Sequence, residues 1–192
     1  MERLVGILLI VGCIVFFVGA FTPLTYQMVT ADPQTREELM QSNASGWLVI
    51  NLLFGIGSIT IAIGLVLFAL QVQSLNLSAV VKAVSFLGPL LAVVGTVLWV
   101  IISYNRVALP PEQTSDSLLV NGWIFPAFTI LMQAALIGTG FALVQASYPQ
   151  WLGWGMVTLG GLSILSYVVL KDMPPFAHYV PFLIMGITLV VR

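Results

Sequence analysis

Apolar residues occur in long stretches that polar residues interrupt at intervals, and the lengths of those stretches predict the elements. The hydrocarbon core of a bilayer, about 30 Å thick, needs roughly 20 apolar residues of helix. On that measure the chain holds six candidate spans, at 4–22, 47–71, 83–104, 122–145, 151–170 and 176–191. The expected fold is therefore all-α, a polytopic integral membrane helical bundle of about six transmembrane helices forming a single domain over 1–192. The last run is short. Pro181 falls in its first turns, where a missing N–H costs least, and Arg192 can snorkel at its other end. Five spans plus a re-entrant sixth is the alternative reading of that segment.

The polar stretches alternate in character. Long polar loops at 23–46 and 105–121 hold the acids Asp32, Glu37 and Glu38, and Glu112 and Asp116. The connections at 72–82 and 146–150 are shorter and contain no acid. With six spans the two acidic loops share one face, together with Arg36, Arg106 and Lys171, and the other face carries Arg3, Lys82 and Arg192. The basic residues tie, so their count does not set the orientation. Their proximity to the helix ends and the uneven loop lengths point to both termini being cytoplasmic. Inside the first loop, Asp32 followed by Pro33 reads as the N-cap and first position of a short surface helix continuing over 34–41.

Composition agrees with a lipid solvent. The chain is 59% hydrophobic and 7% charged, against roughly 25% charged in a soluble domain. A formal net charge of -1 offers no basic patch for a phosphate backbone, so no nucleic-acid partner is expected. Cys13, the single cysteine, permits neither a disulfide nor a thiolate metal site within one copy. Ile10-Val11-Gly12-Cys13 fits the short pattern that precedes a lipidated cysteine. The apolar run continues through Val18, however, which marks a spanning helix rather than a signal-peptide core.

A weak internal repeat is visible. Leu4-Val5-Gly6, Phe86-Leu87-Gly88 and Trp151-Leu152-Gly153 open alternate helices, each followed by a second glycine at Gly12, Gly95 or Gly160. The second and fourth spans begin at Gly46-Trp47 and Gly122-Trp123. Three repeated hairpins in series would give this pattern. Small-residue pairs four apart, Ser58 with Ala62, Gly88 with Ala92 and Ala134 with Gly138, suit close helix approach, within one bundle or against a partner subunit. Trp47, Trp123, Tyr104, Tyr179 and Tyr26 on the acidic side, and Tyr148, Trp151 and Trp154 on the other, read as interfacial aromatic belts.

The chemistry available is limited. The apolar runs contain no acidic or basic residue at mid-membrane depth, and His178 is expected at the interfacial start of the last helix. Ion pumps and cation channels place charge at depth, so ion translocation is disfavoured. One histidine cannot supply a bis-histidine haem, and nothing has metal-ligand spacing; no metal and no cofactor are expected. Asn51 and Gln133 are the strongest polar groups within the spans. In hydrocarbon each must find a partner, either across helices or in a ligand for which they act as polar anchors in an apolar pocket; they are the candidate ligand-binding residues. With no Gly-x-Ser-x-Gly elbow and no second histidine, no catalytic residue is assigned and the protein is expected not to be an enzyme. A lipid-acting enzyme would have to use His178 with Glu37 or Asp172.

Tyr148-Pro149-Gln150-Trp151-Leu152-Gly153-Trp154, followed by a glycine-rich helix and a Pro-Pro turn into a last apolar helix, resembles the C-terminal hairpin of small uncharacterised bacterial multi-spanning membrane proteins. The resemblance implies a bacterial membrane location, here a plasma (inner) membrane, and six or so helices. It carries no activity and no site residue. The expected function is that of a non-enzymatic accessory or structural subunit of a larger membrane complex, partnered by the lipid bilayer and other membrane subunits. The alternative is a binder or transporter of a neutral or lipidic small molecule.

Overall fold

The computed structural model describes residues 1–108, 111–146, 148–170 and 178–192, with the side chains at 29, 33, 36–37, 102–103, 105–107 and 111–125 outside that description. The expectations placed on Glu37, Arg36, Arg106, Glu112, Asp116, Trp123, Lys171, Asp172 and the start of the sixth span at Phe176 therefore lie outside the described residues or side chains.

The helices are α1 (Glu2–Ala20), α2 (Pro23–Thr30), α3 (Pro33–Ser42), α4 (Ala44–Gln73), α5 (Ala79–Ala108), α6 (Pro111–Gln145), α7 (Gln150–Leu170) and α8 (Tyr179–Val191). The chain is an all-α, multi-pass membrane bundle. Among the described residues, five helices are long and apolar enough to cross a bilayer, namely α1, α4, α7, and the stretches Ala79–Ile101 of α5 and Pro126–Gln145 of α6; α8 is a shorter apolar helix. At 1.5 Å per residue the thirteen residues of α8 cover about 20 Å, short of the roughly 30 Å of a hydrocarbon core.

The polar stretch 23–46 folds into helices on the expected signals. Thr22 caps α2, accepting from the Thr25 N–H at 3.2 Å, with Pro23 at the first helical position. Asp32 caps α3, accepting from the N–H groups of Gln34 and Thr35 at 3.0 and 3.1 Å. Each side chain satisfies donors that a helix N-terminus leaves open. The stretch 105–121 is helical wherever it is described, because α5 and α6 extend beyond their apolar segments.

Neighbours run around the bundle in the order α8, α1, α4, α5, α6, α7, and α7 and α8 barely touch across the last gap. The first two expected hairpins, α1 with α4 and α5 with α6, are closely packed; α8 lies on α1 instead of pairing with α7. Glycine on glycine brings three of these interfaces together. Gly12 faces Gly57 between α1 and α4, Gly6 faces Gly186 between α1 and α8, and Gly140 faces Gly153 between α6 and α7; a Cβ on any of the six would stand 2.6–2.9 Å from the opposing glycine's carbonyl oxygen. Lipid gives helices no hydrophobic reason to associate, so such close backbone approach is a main source of attraction. The repeat glycines of α1, α5 and α7 all lie at helix interfaces, as do Gly88 and Gly138 of the small-residue pairs.

Glu2, Gln71, Tyr148 and Arg192 meet on one face. The Tyr148 hydroxyl donates to Glu2 Oε1 at 2.6 Å, Gln71 Nε2 donates to the same oxygen at 3.1 Å, and the Arg192 guanidinium lies 4.8 Å from the centroid of the Tyr148 ring. This face joins the start of α1 to the ends of α4, α6 and α8.

Candidate functional site

α8 runs antiparallel to α1 from that face and stops partway through the bundle. Its first turn lies beside Cys13 and Phe16: the Cys13 thiol donates to the Tyr179 carbonyl at 3.3 Å, and the Phe16 and Tyr179 rings stack with centroids 3.6 Å apart. Cys13 is eleven residues from Glu2, about 17 Å along a helix about 28 Å long. Tyr179 also meets Ser58, its hydroxyl 2.6 Å from Ser58 Oγ, near the middle of α4.

This arrangement corrects two expectations. His178 and Tyr179 are not interfacial; both are fully buried, with 0% exposure. Nor is the interior without an ionisable side chain. An α8 of only thirteen residues, fixed by Arg192 at one face, starts deep in the apolar region, so its first residues are carried inside.

His178 lies among Phe128, Tyr179 and Phe182, with ring centroids 6.2, 4.2 and 6.4 Å away. Across the bundle, Gln133 Nε2 of α6 is 3.3 Å from His178 Nδ1, and Gln133 is itself fully buried. With that amide donating to Nδ1, the ring hydrogen sits on Nε2, since one nitrogen of a neutral imidazole donates and the other accepts. Nε2 is buried and has no hydrogen-bond partner.

Other buried polar atoms among the described residues share that condition, among them Trp47 Nε1 and, within this centre, Gln133 Oε1; for three of them the chemistry differs. The Thr96 and Thr139 hydroxyls sit within helices, where rotation about χ1 offers a carbonyl of the preceding turn. Gln71 Oε1 belongs to an amide whose nitrogen is already bonded to Glu2. An unsatisfied buried N–H costs about 1–3 kcal/mol.

The two residues expected to bind ligand are not brought into one site. Gln133 belongs to this centre. Asn51 is buried at 4% exposure, but its Nδ2 donates to the Trp47 carbonyl of its own helix at 2.7 Å. Ser58 lies seven residues further along α4, about 10 Å away along the axis. The polar centre is thus His178 with Gln133, flanked by Tyr179, Ser58 and Cys13. Among the described residues no cluster of three or more histidines, cysteines or acids is placed to hold a metal.

Compared with protein-family models, curated proteins and solved structures, the chain matches none.

Proposed function

We propose that this is a non-enzymatic membrane protein that binds a neutral, apolar molecule carrying a hydrogen-bond acceptor, such as a carbonyl or ether oxygen, at the His178–Gln133 centre. The observation that carries the reading is the unpartnered Nε2 of a fully buried imidazole whose other nitrogen is engaged by Gln133. Ionisable groups within a membrane interior are retained at a cost, which makes them functional candidates by default. The aromatic and apolar surroundings favour a neutral ligand over a charged one.

Because His178 is the only histidine, its ring nitrogens can be followed without assignment. Imidazole-¹⁵N-labelled protein is placed in nanodiscs of synthetic phosphatidylcholine, and a neutral-lipid extract of the native membrane is added. The reading expects a shift of the Nε2 resonance that disappears in Gln133→Leu; an unmoved resonance would refute it.

A second reading, an accessory subunit of a larger complex, is favoured by α7. Gly155 and Gly161 have nothing within 4 Å of a hypothetical Cβ, and Trp151 and Trp154 are exposed nearby. Such a surface suits another membrane helix. Particle mass after extraction from native membrane into nanodiscs decides it, and a lone monomer excludes it. We place the protein in a bacterial plasma membrane, as the resemblance of its C-terminal hairpin implies, with both termini cytoplasmic on the loop and charge pattern described above.

A further inference from the structure

A cavity of about 760 Å³ opens in the gap between α7 and α8, with Pro149 and Gln150 on one side and Thr188 and Arg192 on the other. Thr188 and Arg192 belong to a line of residues three or four apart along α8, and that line continues inward through Met185 and Pro181 to His178. All three inner residues are buried. Pro149 begins a similar line on α7, through Gly153, Met156 and Gly160, and a Cβ on Gly160 would stand 3.0 Å from the Gln133 carbonyl oxygen. Two lines of residues thus lead inward from the cavity, one to His178 and one to Gln133. Midway along them, Met185 is seven residues from Arg192 and Met156 six from Gln150, so the two share a depth of about 10 Å. Both are buried.

We propose that the ligand of the His178 centre is a single unbranched hydrocarbon chain with a carbonyl near one end, and that it enters from this cavity, between α7 and α8, past Met156 and Met185. The proposal rests on the ligand reading above and adds the ligand's shape and route. α8 is held on α1 at Gly6 and Gly186, and α7 on α6 at Gly140 and Gly153, all with backbones in close approach. Neither helix can swing aside without losing such a contact, and close-packed helices yield little. Between them, α7 and α8 barely touch, so what can move there is side chains. Methionine is unbranched and turns about three bonds, which lets it repack around a guest. A methionine turned aside leaves a passage about its own width, which suits one polymethylene chain and is too narrow for fused rings. The carbonyl then accepts from His178 Nε2, and the tail trails back along α8 for about 20 Å toward the cavity.

The test uses the full chain, imidazole-¹⁵N-labelled, in nanodiscs of synthetic phosphatidylcholine. Methyl nonyl ketone, a straight chain, is expected to shift the Nε2 resonance of wild type, and cholestenone, a ketone on fused rings, to leave it unmoved. In Gln150→Cys/Thr188→Cys, a reducible bifunctional thiol reagent spanning the cavity should abolish the methyl nonyl ketone shift, and reduction should restore it. Cys13 is fully buried and stays unreacted. Met185→Ala should admit cholestenone. An equal shift by cholestenone in wild type, or a methyl nonyl ketone shift that persists in the linked protein, overturns the proposal; continued exclusion of cholestenone from Met185→Ala overturns the role given to the methionines. If neither ketone moves the resonance of wild type but the neutral-lipid extract does, this proposal fails and the ligand reading stands. If none of the three moves it, both fail.

Discussion

A methyl group added at Gly57 tests whether close backbone approach between α1 and α4 holds the bundle together. The new Cβ would stand 2.7 Å from the Gly12 carbonyl oxygen, 2.8 Å from the Phe16 nitrogen and 2.9 Å from Phe16 Cβ, where ordinary contact begins at 3.4 Å. None of these atoms ends a flexible side chain, so the helices must separate by several tenths of an ångström. Overpacking of this kind costs about 1–3 kcal/mol. With three contacts under 3.0 Å the upper part of that range, about 2–3 kcal/mol, applies; alanine's better helix propensity, about 1 kcal/mol, offsets part of it and leaves a net loss of about 1–2 kcal/mol. Cys13 supplies the assay, because it is the single cysteine and is fully buried. Its reaction with a fluorogenic maleimide during heating reports the opening of α1 from its neighbours. At roughly 2–4 °C per kcal/mol for a chain of this size, Gly57→Ala should lower the labelling midpoint by roughly 2–8 °C. Gly155→Ala is the control: it has open space around it and should leave the midpoint unchanged or raise it. Equal midpoints for Gly57→Ala and wild type, or an equal fall in Gly155→Ala, would refute the reasoning.

Tyr179→Phe removes the hydroxyl that meets Ser58 but keeps the ring on Phe16. It should cost about 0.6 kcal/mol, and at most about 1.7, whereas Tyr179→Ala should cost about 3–5; equal losses in the Cys13 assay would show the ring to be unimportant. Burial, and then the hydrogen bond to Glu2, hold the Tyr148 phenol above its usual value near 10. A raised value means that this interaction stabilises the fold below about pH 10 and ceases to do so as pH rises through the folded value. Ultraviolet titration, with Tyr148→Phe subtracted, should show Tyr148 ionising at lower pH in Glu2→Gln, and an unmoved titration would discard the Glu2 contribution.

Most of the helical plan was legible because run length in a membrane is set by the solvent. The apolar stretches at 4–22, 47–71, 83–104, 122–145 and 151–170 are helical save for Phe21 and Thr22, where α1 has ended, and Asp32-Pro33 marked α3 within a residue. The outer ends of α4, α5 and α6 were not legible, since hydropathy marks where a helix leaves lipid and not where its hydrogen bonds stop. The repeat suggested three equivalent hairpins, yet α8 lies on α1. What decides is the Gly6–Gly186 contact, and single glycines in an apolar run do not announce their partners.

His178 was misplaced by measuring the last run from the wrong end. Counted from Phe176, it falls at an interface. Counted from Arg192, whose charge belongs at a membrane surface, thirteen helical residues reach only about 20 Å, and His178 arrives inside. Arg192 as an end point stands in the sequence, so the depth of the imidazole was legible there once the helix was counted back from it. Asn51 and Gln133 show what was not. Both are amides in apolar runs and both had to find a partner. Asn51 found one in the Trp47 carbonyl of its own helix, which ends its need for a ligand. Gln133 meets a residue 45 positions away, and by engaging Nδ1 it leaves the far side of the imidazole to be satisfied. The difference between a structural amide and part of a binding site lies in that long-range pairing, which depends on where α8 begins.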